Sequence, residues 1–384
     1  MDRFIFETVG HIVVGEASCE NLSEHLDRLG AISRVAVVTD QGIVGVGLLE
    51  KPLAALEKAG KTVFVFDGVT ADPPSAMVEA AAAKVRAFGP DCIIGFGGGS
   101  TMDTAKVAAL LCASDQKLDS LYGFDQAKGP RLPLVLVPTT AGTGSEVTPI
   151  SVLTKDNGEK AGIISPLLFA DMALLDPVLT LGLPRHITAA TGVDAMVHAI
   201  EALTSARLKN PLSDSLALAA LQRLHGAIER ACHHGDDVQA RTQMLLGALQ
   251  AGQAFANAPV GAIHALAYPI GGQFHVSHGL SNALVMPHVM RFNLSEAAPI
   301  YAQIYDALGL SGAMCNASKA EALIDELERI CVAIGLERRL SDVGIGADDL
   351  PAMADEGITI ERLLVNNPKA MTRDDIFAIY EAAL

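Results

Sequence analysis

The sequence predicts an α/β N-terminal domain built on a doubly wound, mostly parallel sheet, residues 1–182, followed by an all-helical C-terminal domain, residues 183–384. Three observations carry this expectation. Short β-branched runs alternate with helical stretches through the first half. After Pro184 those runs nearly vanish, and long alanine- and leucine-rich segments with apolar residues three and four apart take over. The chain has 384 residues, half of them apolar, which is long for one core and ample for two.

The strands are read at 35–39 (VAVVT), 62–66 (TVFVF), 92–96 (CIIGF) and 132–137 (LPLVLV). Each is a near-continuous apolar run, as strands need when helices cover both faces of a parallel sheet. Between them, LLEKPLAALEKAG and SAMVEAAAAKVRAFG have helical spacing. Beyond residue 182 the helical segments are ATGVDAMVHAIEALTSA, DSLALAALQRLHGAIERA, ARTQMLLGALQAGQAFANA and SKAEALIDELERICVAIG. A cleft between two such domains is the expected place for a ligand.

Composition excludes several classes of function. The formal net charge is −16 and no Lys/Arg cluster offsets it, so nucleic acid and anionic membrane are poor partners. The N-terminal MDRFIFETVG carries acids and no long apolar run, so it is not read as a signal peptide. No uncharged apolar stretch reaches the ~18 residues a membrane span needs. Six cysteines lie scattered without a C-x-x-C pair and are read as small apolar residues in a reducing, cytoplasmic setting.

Two turns point to a nucleotide. DCIIGFGGGSTMDTAK runs from a buried strand through Gly97, Gly98, Gly99 and Ser100 into a helix. Glycines let a phosphate approach the backbone, and the helix start offers free N–H groups and the positive end of a dipole. Asp103 and Lys106 in that helix are read as a solvated i,i+3 pair. The next strand ends in VPTTAGTGSEVT, rich in hydroxyls and glycine where parallel sheets hold nucleotides. Asp40 closes the first strand; it is read either as a helix N-cap or as an acceptor for ribose hydroxyls that repels a 2′-phosphate.

A second constellation lies in the helical half. In TGVDAMVHAIEA, Asp194 and His198 are four apart and share a helix face, with Glu201 on the same side. In GAIHALAYPIGGQFHVSHG, His264 sits in a helix, and a glycine-containing turn precedes His278. One carboxylate and three imidazoles would suit Zn2+ or Fe2+; hydrogen-bonded core histidines would leave the same pattern.

These residues resemble the iron-containing (group III) alcohol dehydrogenases from near residue 5 to the C-terminus. GGGSTMDTAK, PTTAGTGSEVT, TAATGVDAMVHAIEA and GAIHALAYPIGGQFHVSHGLSNALVMPHV look like that family's motifs, in its order. The resemblance implies a dehydroquinate synthase-like architecture. It implies metal ligands at Asp194, His198, His264 and His278, with Fe2+ first and Zn2+ second. It implies NAD on Gly97, Gly98, Gly99 and Ser100, with Asp103 counted in the same turn and Asp40 on the adenosine ribose. Thr139, Thr140, Thr143, Ser145 and Lys160 would complete the cofactor site, and Phe255 and Ile150 would lie near the substrate.

The sequence departs from the family at Tyr268, where many members carry a histidine assigned to proton relay, and at Asp72, where many carry Asn. With Tyr268 in that place, the Tyr268 hydroxyl or the His275 imidazole becomes the expected proton carrier. The activity implied is hydride transfer between NAD(H) and a short-chain primary alcohol, diol or aldehyde. Its oxygen would be held by the metal in the interdomain cleft of a cytoplasmic homodimer. The competing readings are a sugar-phosphate cyclase, a non-haem iron oxygenase and a nucleotide-binding scaffold. The first lacks Lys/Arg around the ligands, the second leaves a histidine over, and the third would not keep four ligands.

Overall fold

The computed structural model describes residues 3–384. Its chain forms two compact units. One holds Thr8–Thr140 and Gly144–Leu181; the other holds Gly182–Leu384, residues 3–7 and the short Ala141–Thr143 segment.

The first unit is built on a six-stranded sheet among the described residues. Its strands are β1 (His11–Val14), β2 (Arg34–Val38), β3 (Thr62–Phe66), β4 (Cys92–Gly97), β6 (Leu134–Pro138) and β9 (Met172–Leu175). They lie in the order β1-β9-β6-β4-β2-β3, and every pairing is parallel. β5 (Gly123–Phe124), β7 (Ile150–Thr154) and β8 (Lys160–Ile164) make a smaller sheet in which β7 and β8 are antiparallel. The helices α1 (Glu50–Lys58), α2 (Ser75–Phe88) and α3 (Gly99–Ala113) connect strands of the large sheet. Val35, Val37, Ile94, Phe96, Val135, Val137, Met172 and Leu174 form one face of its core, all buried. Strands buried on both sides explain the unbroken apolar runs.

Strand order makes a functional point. From β2 the chain steps outward to β3, then back across β2 to β4, and onward through β6. The winding therefore reverses between β2 and β4, and ligands of open α/β sheets bind at the carboxyl ends of such a pair. Asp40 ends one of these strands, and the Gly97–Ser100 turn ends the other.

The second unit is helical throughout Gly182–Leu384. Its helices include α4 (Arg185–Thr204), α5 (Pro211–His233), α6 (Val238–Asn257), α7 (Ala262–Phe274) and α8 (His278–Phe292), of which α4, α7 and α8 carry the predicted ligands. α5 begins with a capping box in which the Asn210 side chain accepts from the Leu212 and Ser213 amides. Glycines allow the close packing. A Cβ on Gly192 would lie 2.7 Å from Met244 Cε, and one on Gly247 would lie 2.6 Å from Leu224 Cγ. None of the helices is long and apolar enough to cross a membrane, among the described residues.

One expectation is corrected here. Gly271 and Gly272 do not make the turn before His278; both lie inside α7. The turn is made by His275, which ends α7 in the left-handed conformation at φ 56°.

Candidate functional site

α4 places Asp194 and His198 one turn apart on a buried face. α7 brings His264 to them, and α8 supplies His278 as its first residue. The four side chains each offer a ligand atom within 4.8 Å of the others. Asp194 Oδ1 stands 3.8 Å from His264 Nε2 and 3.6 Å from His278 Nε2. Ligands on a tetrahedral ion at bond lengths of 2.0–2.1 Å stand about 3.4 Å apart, so these spacings approach a closed set.

Close helix contact makes this possible. A Cβ on Gly279 would lie 2.2 Å from the Ala190 carbonyl oxygen, so only glycine lets the start of α8 rest on α4.

The electrostatics favour a cation. Burial above all pushes the His198 imidazole down to about 3, so it is neutral at pH 7 with a lone pair to give. Burial pushes Asp194 the other way, but the three imidazoles and the Asn282 amide outweigh it and hold its carboxyl below the ordinary range. The Gly142 backbone lies against the His198 imidazole and works against the effect of burial. The set of one carboxylate and three imidazoles fits a divalent transition metal.

Two residues orient the ligands. Glu201 Oε2 lies 2.6 Å from His264 Nδ1, while its Oε1 accepts from the Ile263 amide at 2.6 Å. This fixes the ring so that Nε2 faces the set, the carboxylate–histidine arrangement that raises ligand basicity. The Asn282 amide donates to Asp194 Oδ1 at 2.7 Å. The E201Q variant is expected to bind Zn2+ about 10- to 100-fold more weakly than the wild type in a competition titration with a chelating dye. Equal affinity would remove Glu201 from this role.

The walls of the site follow. The Phe255 ring stacks on His198 at 4.3 Å between centroids. The Tyr268 ring lies 6.4 Å from that of His278, and its hydroxyl accepts from Arg362 at 2.9 Å. His275 is exposed.

In the first unit, Asp40 Oδ1 accepts from the Ile43 amide at 3.0 Å, the N-cap half of its reading. Its other oxygen lies 3.4 Å from the Thr101 hydroxyl, beside the glycine turn. α3 starts at that turn with no side-chain cap, so its first amides are free to meet a phosphate. The turn also meets Thr140, whose Oγ1 would be 3.7 Å from a Cβ on Gly98, and the Thr139 amide donates to the Gly97 carbonyl at 3.0 Å.

Asp103 and Lys106 are not a solvated pair. Lys106 is fully buried, its ammonium held by Ser145 Oγ at 2.8 Å, Thr148 Oγ1 at 3.3 Å and the Ile150 carbonyl at 2.7 Å. Asp103 accepts from Ser145 Oγ at 2.6 Å and from the Val152 amide at 2.8 Å. Burial pushes Lys106 down to about 8, against the pull of Asp103 and Glu146. Asp103, Ser145 and the backbone of Ile150 thus tie the loop after β6 to α3. Lys160 forms a separate ion pair with Asp72 at 2.6 Å.

Comparison with known proteins decides the family. The model "Iron-containing alcohol dehydrogenase" matches residues 10–177, and "Fe-containing alcohol dehydrogenase family, C-terminal" matches residues 188–384. The chain belongs to the iron-containing alcohol dehydrogenase family. It is 39% identical over 385 residues to long-chain-alcohol dehydrogenase 1 of Geobacillus thermodenitrificans (strain NG80-2), covering 99% of this chain and 96% of that one. The crystal structure of a 1,3-propanediol oxidoreductase matches with a TM-score of 0.96 at 33% identity, covering 100% of both chains. That of sulfoacetaldehyde reductase from Bifidobacterium kashiwanohense in complex with NAD+ matches with a TM-score of 0.91 at 27% identity, covering 100% of this chain and 99% of that one.

As a member of the iron-containing alcohol dehydrogenases, the protein brings together Asp194, His198, His264, His278, Phe255 and Tyr268 in one unit. Asp40, Gly97–Ser100, Thr139 and Thr140 gather at the sheet edge of the other. Three residues in or beside the candidate metal centre were given no role in the sequence reading. Glu201 and Asn282 were findable, standing three residues from His198 and four from His278 on the same helix faces. Arg362 gave no signal.

Proposed function

We propose that the protein is a metal-dependent, NAD(H)-linked dehydrogenase that interconverts a primary alcohol or diol and its aldehyde. The observation that carries this reading is the convergence of Asp194, His198, His264 and His278 within 4.8 Å. When bound there, a divalent ion, Fe2+ first and Zn2+ second, supplies Lewis acidity to the alcohol oxygen, and NAD supplies the hydride acceptor.

The chain's own residues do the rest. Glu201 and Asn282 hold His264 and Asp194 in place. Phe255, stacked on His198, is the proposed apolar wall against the carbon chain, which favours short alcohols and diols, and Ile150 is a further proposed substrate residue. The Gly97, Gly98, Gly99 and Ser100 backbone receives the pyrophosphate, Asp40 the adenosine ribose, and Thr139, Thr140, Thr143 and Lys160 the remainder of the cofactor. Asp103 and Ser145 support that site through their bonds to each other and to Lys106. The Tyr268 hydroxyl accepts from Arg362, which leaves its own proton to give, so Tyr268 is the first choice for moving the alcohol proton. His275, exposed one turn before α8, is the second. A cytoplasmic homodimer is the proposed working form.

The test pairs elemental analysis of protein purified without added metal with NAD reduction by a panel of primary alcohols from ethanol to long-chain members. We expect bound Fe or Zn, activity abolished by a chelator, and recovery on adding Fe2+ or Zn2+. Activity that survives chelation, or a protein that neither holds metal nor responds to it, would sink the reading. In the same assay, H275Q with an unchanged pH profile and Y268F with a shifted one would assign the proton to Tyr268; the reverse pattern would assign it to His275.

A further inference from the structure

Asn282 stands one helical turn after His278 on α8 and is fully buried. Its Nδ2 lies 2.7 Å from Asp194 Oδ1, 3.3 Å from His264 Nε2 and 3.4 Å from His278 Nε2. One side-chain atom therefore meets a donor atom of three of the four candidate ligands. Donors about 2.1 Å from one ion stand about 3.0 Å apart at right angles and about 3.4 Å apart at the tetrahedral angle. The two imidazole distances fall in that range, and the carboxylate distance lies just below it. The end of Asn282 sits where a further donor to the same ion would sit.

The two ends of the amide are unequally served. Nδ2 donates to the Asp194 carboxylate and meets His264 Nε2, which offers a lone pair because Nδ1 of that ring carries the hydrogen shared with Glu201. Oδ1 is buried and has no hydrogen-bond partner among the described residues. Buried oxygens are seldom left this way. A cation among the same donors reverses the preference, since it repels the N–H end of the amide dipole and attracts the carbonyl end. The two ends are nearly equal in size, and the torsion that carries them is broad and two-fold. A half-turn exchanges them in place. It gives up the bond to Asp194, whose oxygen then faces the ion, and costs Oδ1 nothing.

We propose that Asn282 sets the metal preference of the site: on loading, its amide turns over and presents Oδ1 to the ion as a fifth protein donor. This rests on the metal reading of the four ligands and not on which alcohol is oxidised. Selectivity among such ions is decided by geometry and donor type rather than by raw affinity. Zn2+ favours four donors in a tetrahedron, whereas Fe2+ and Co2+ accept five or six. The added oxygen therefore favours Fe2+ and Co2+ over Zn2+.

The test uses the full chain stripped by a chelator, with Co2+ and Zn2+ as probes. Competition with a chelating dye gives the ratio of Co2+ to Zn2+ affinity. The visible absorption of bound Co2+ reads its donor number, being weaker with five or six donors than with four. In N282L the ratio should fall about 10-fold in favour of Zn2+, and the Co2+ bands should strengthen. N282S, whose hydroxyl is too short to reach, should do the same and carries the comparison if N282L folds poorly. N282D keeps an oxygen at the ion but, as a carboxylate, cannot donate to Asp194. It should hold the wild-type ratio and the weak bands, whereas a residue that only orients Asp194 would fail in N282D as in N282L. Equal ratios and equal bands in wild type, N282L and N282S overturn the proposal, as does an N282D that matches N282L. Should the expected differences appear while no alcohol is oxidised, the dehydrogenase reading fails and the fifth donor stands. Alcohol oxidation with no change across the variants removes the fifth donor alone. A wild type that binds neither ion overturns both.

Discussion

Replacing Gly279 by alanine is expected to cost the protein its metal affinity and a large part of its stability. The new methyl would be placed 2.2 Å from the Ala190 carbonyl oxygen and 3.3 Å from Asp194 Cβ. Neither neighbour is the end of a flexible side chain, so α8 must move away from α4. Overpacking of this kind costs about 1–3 kcal/mol, and a clash with backbone belongs at the upper end. The same movement carries His278 away from Asp194 Oδ1, now 3.6 Å from it. We expect Zn2+ affinity to fall by more than about 100-fold, twice in logarithm the loss from one well-placed second neighbour. Dye-competition titration and urea unfolding of G279A measure the two effects. A variant that unfolds early yet binds Zn2+ like the wild type would show that the helices part without moving the ligands.

Replacing Lys106 by methionine is expected to destabilise the first unit by about 3–5 kcal/mol, the cost of removing one partner of a buried charged group. The ammonium has no exposure and makes three hydrogen bonds, with Asp103 Oδ1 at 3.7 Å. Without it, Asp103 and Glu146 share a buried region with no cation. Glu146 shows the strain of that position already, since burial lifts its carboxyl to about 7. Urea unfolding followed by circular dichroism reads the loss. The double variant D103N/K106M should recover part of it, because the carboxylate left behind is then neutral. A K106M midpoint equal to the wild type's would mean that water replaces the ammonium without cost.

Much of this was legible in the sequence, and the reasons are local. The 62–66 run is β3 residue for residue, because its alternation with a helix on each side is a short-range pattern. Asp194 and His198 were legible because four residues on a helix fix a shared face. β1 and β9 were missed: each is four residues long, and the partner of His11 is Met172. Nothing near either strand announces a pairing that distant. β7 and β8 were missed despite a usable sign, the Asn157–Gly158 turn between them, with Gly158 at φ 83°. The Asp103–Lys106 pair was misjudged because spacing gives a shared face but not what covers it. The cover is Ser145, Thr148 and Ile150, some forty residues on. Arg362 was beyond reach for the same reason, standing 94 residues from the tyrosine it meets.

The ligands of the candidate metal centre are unequally shielded. Side-chain exposure is 3% for Asp194 and 5% for His264, against 40% for His278 at the first position of α8. Exchange of an ion with solvent is therefore a kinetic question about one imidazole. Three donors stay fixed in the packed interior while the fourth lets go and returns with the fraying of a helix end. The lifetime of the bound ion should follow the rigidity of the 275–279 segment, and two variants with the same equilibrium affinity can differ widely in how long they keep their metal.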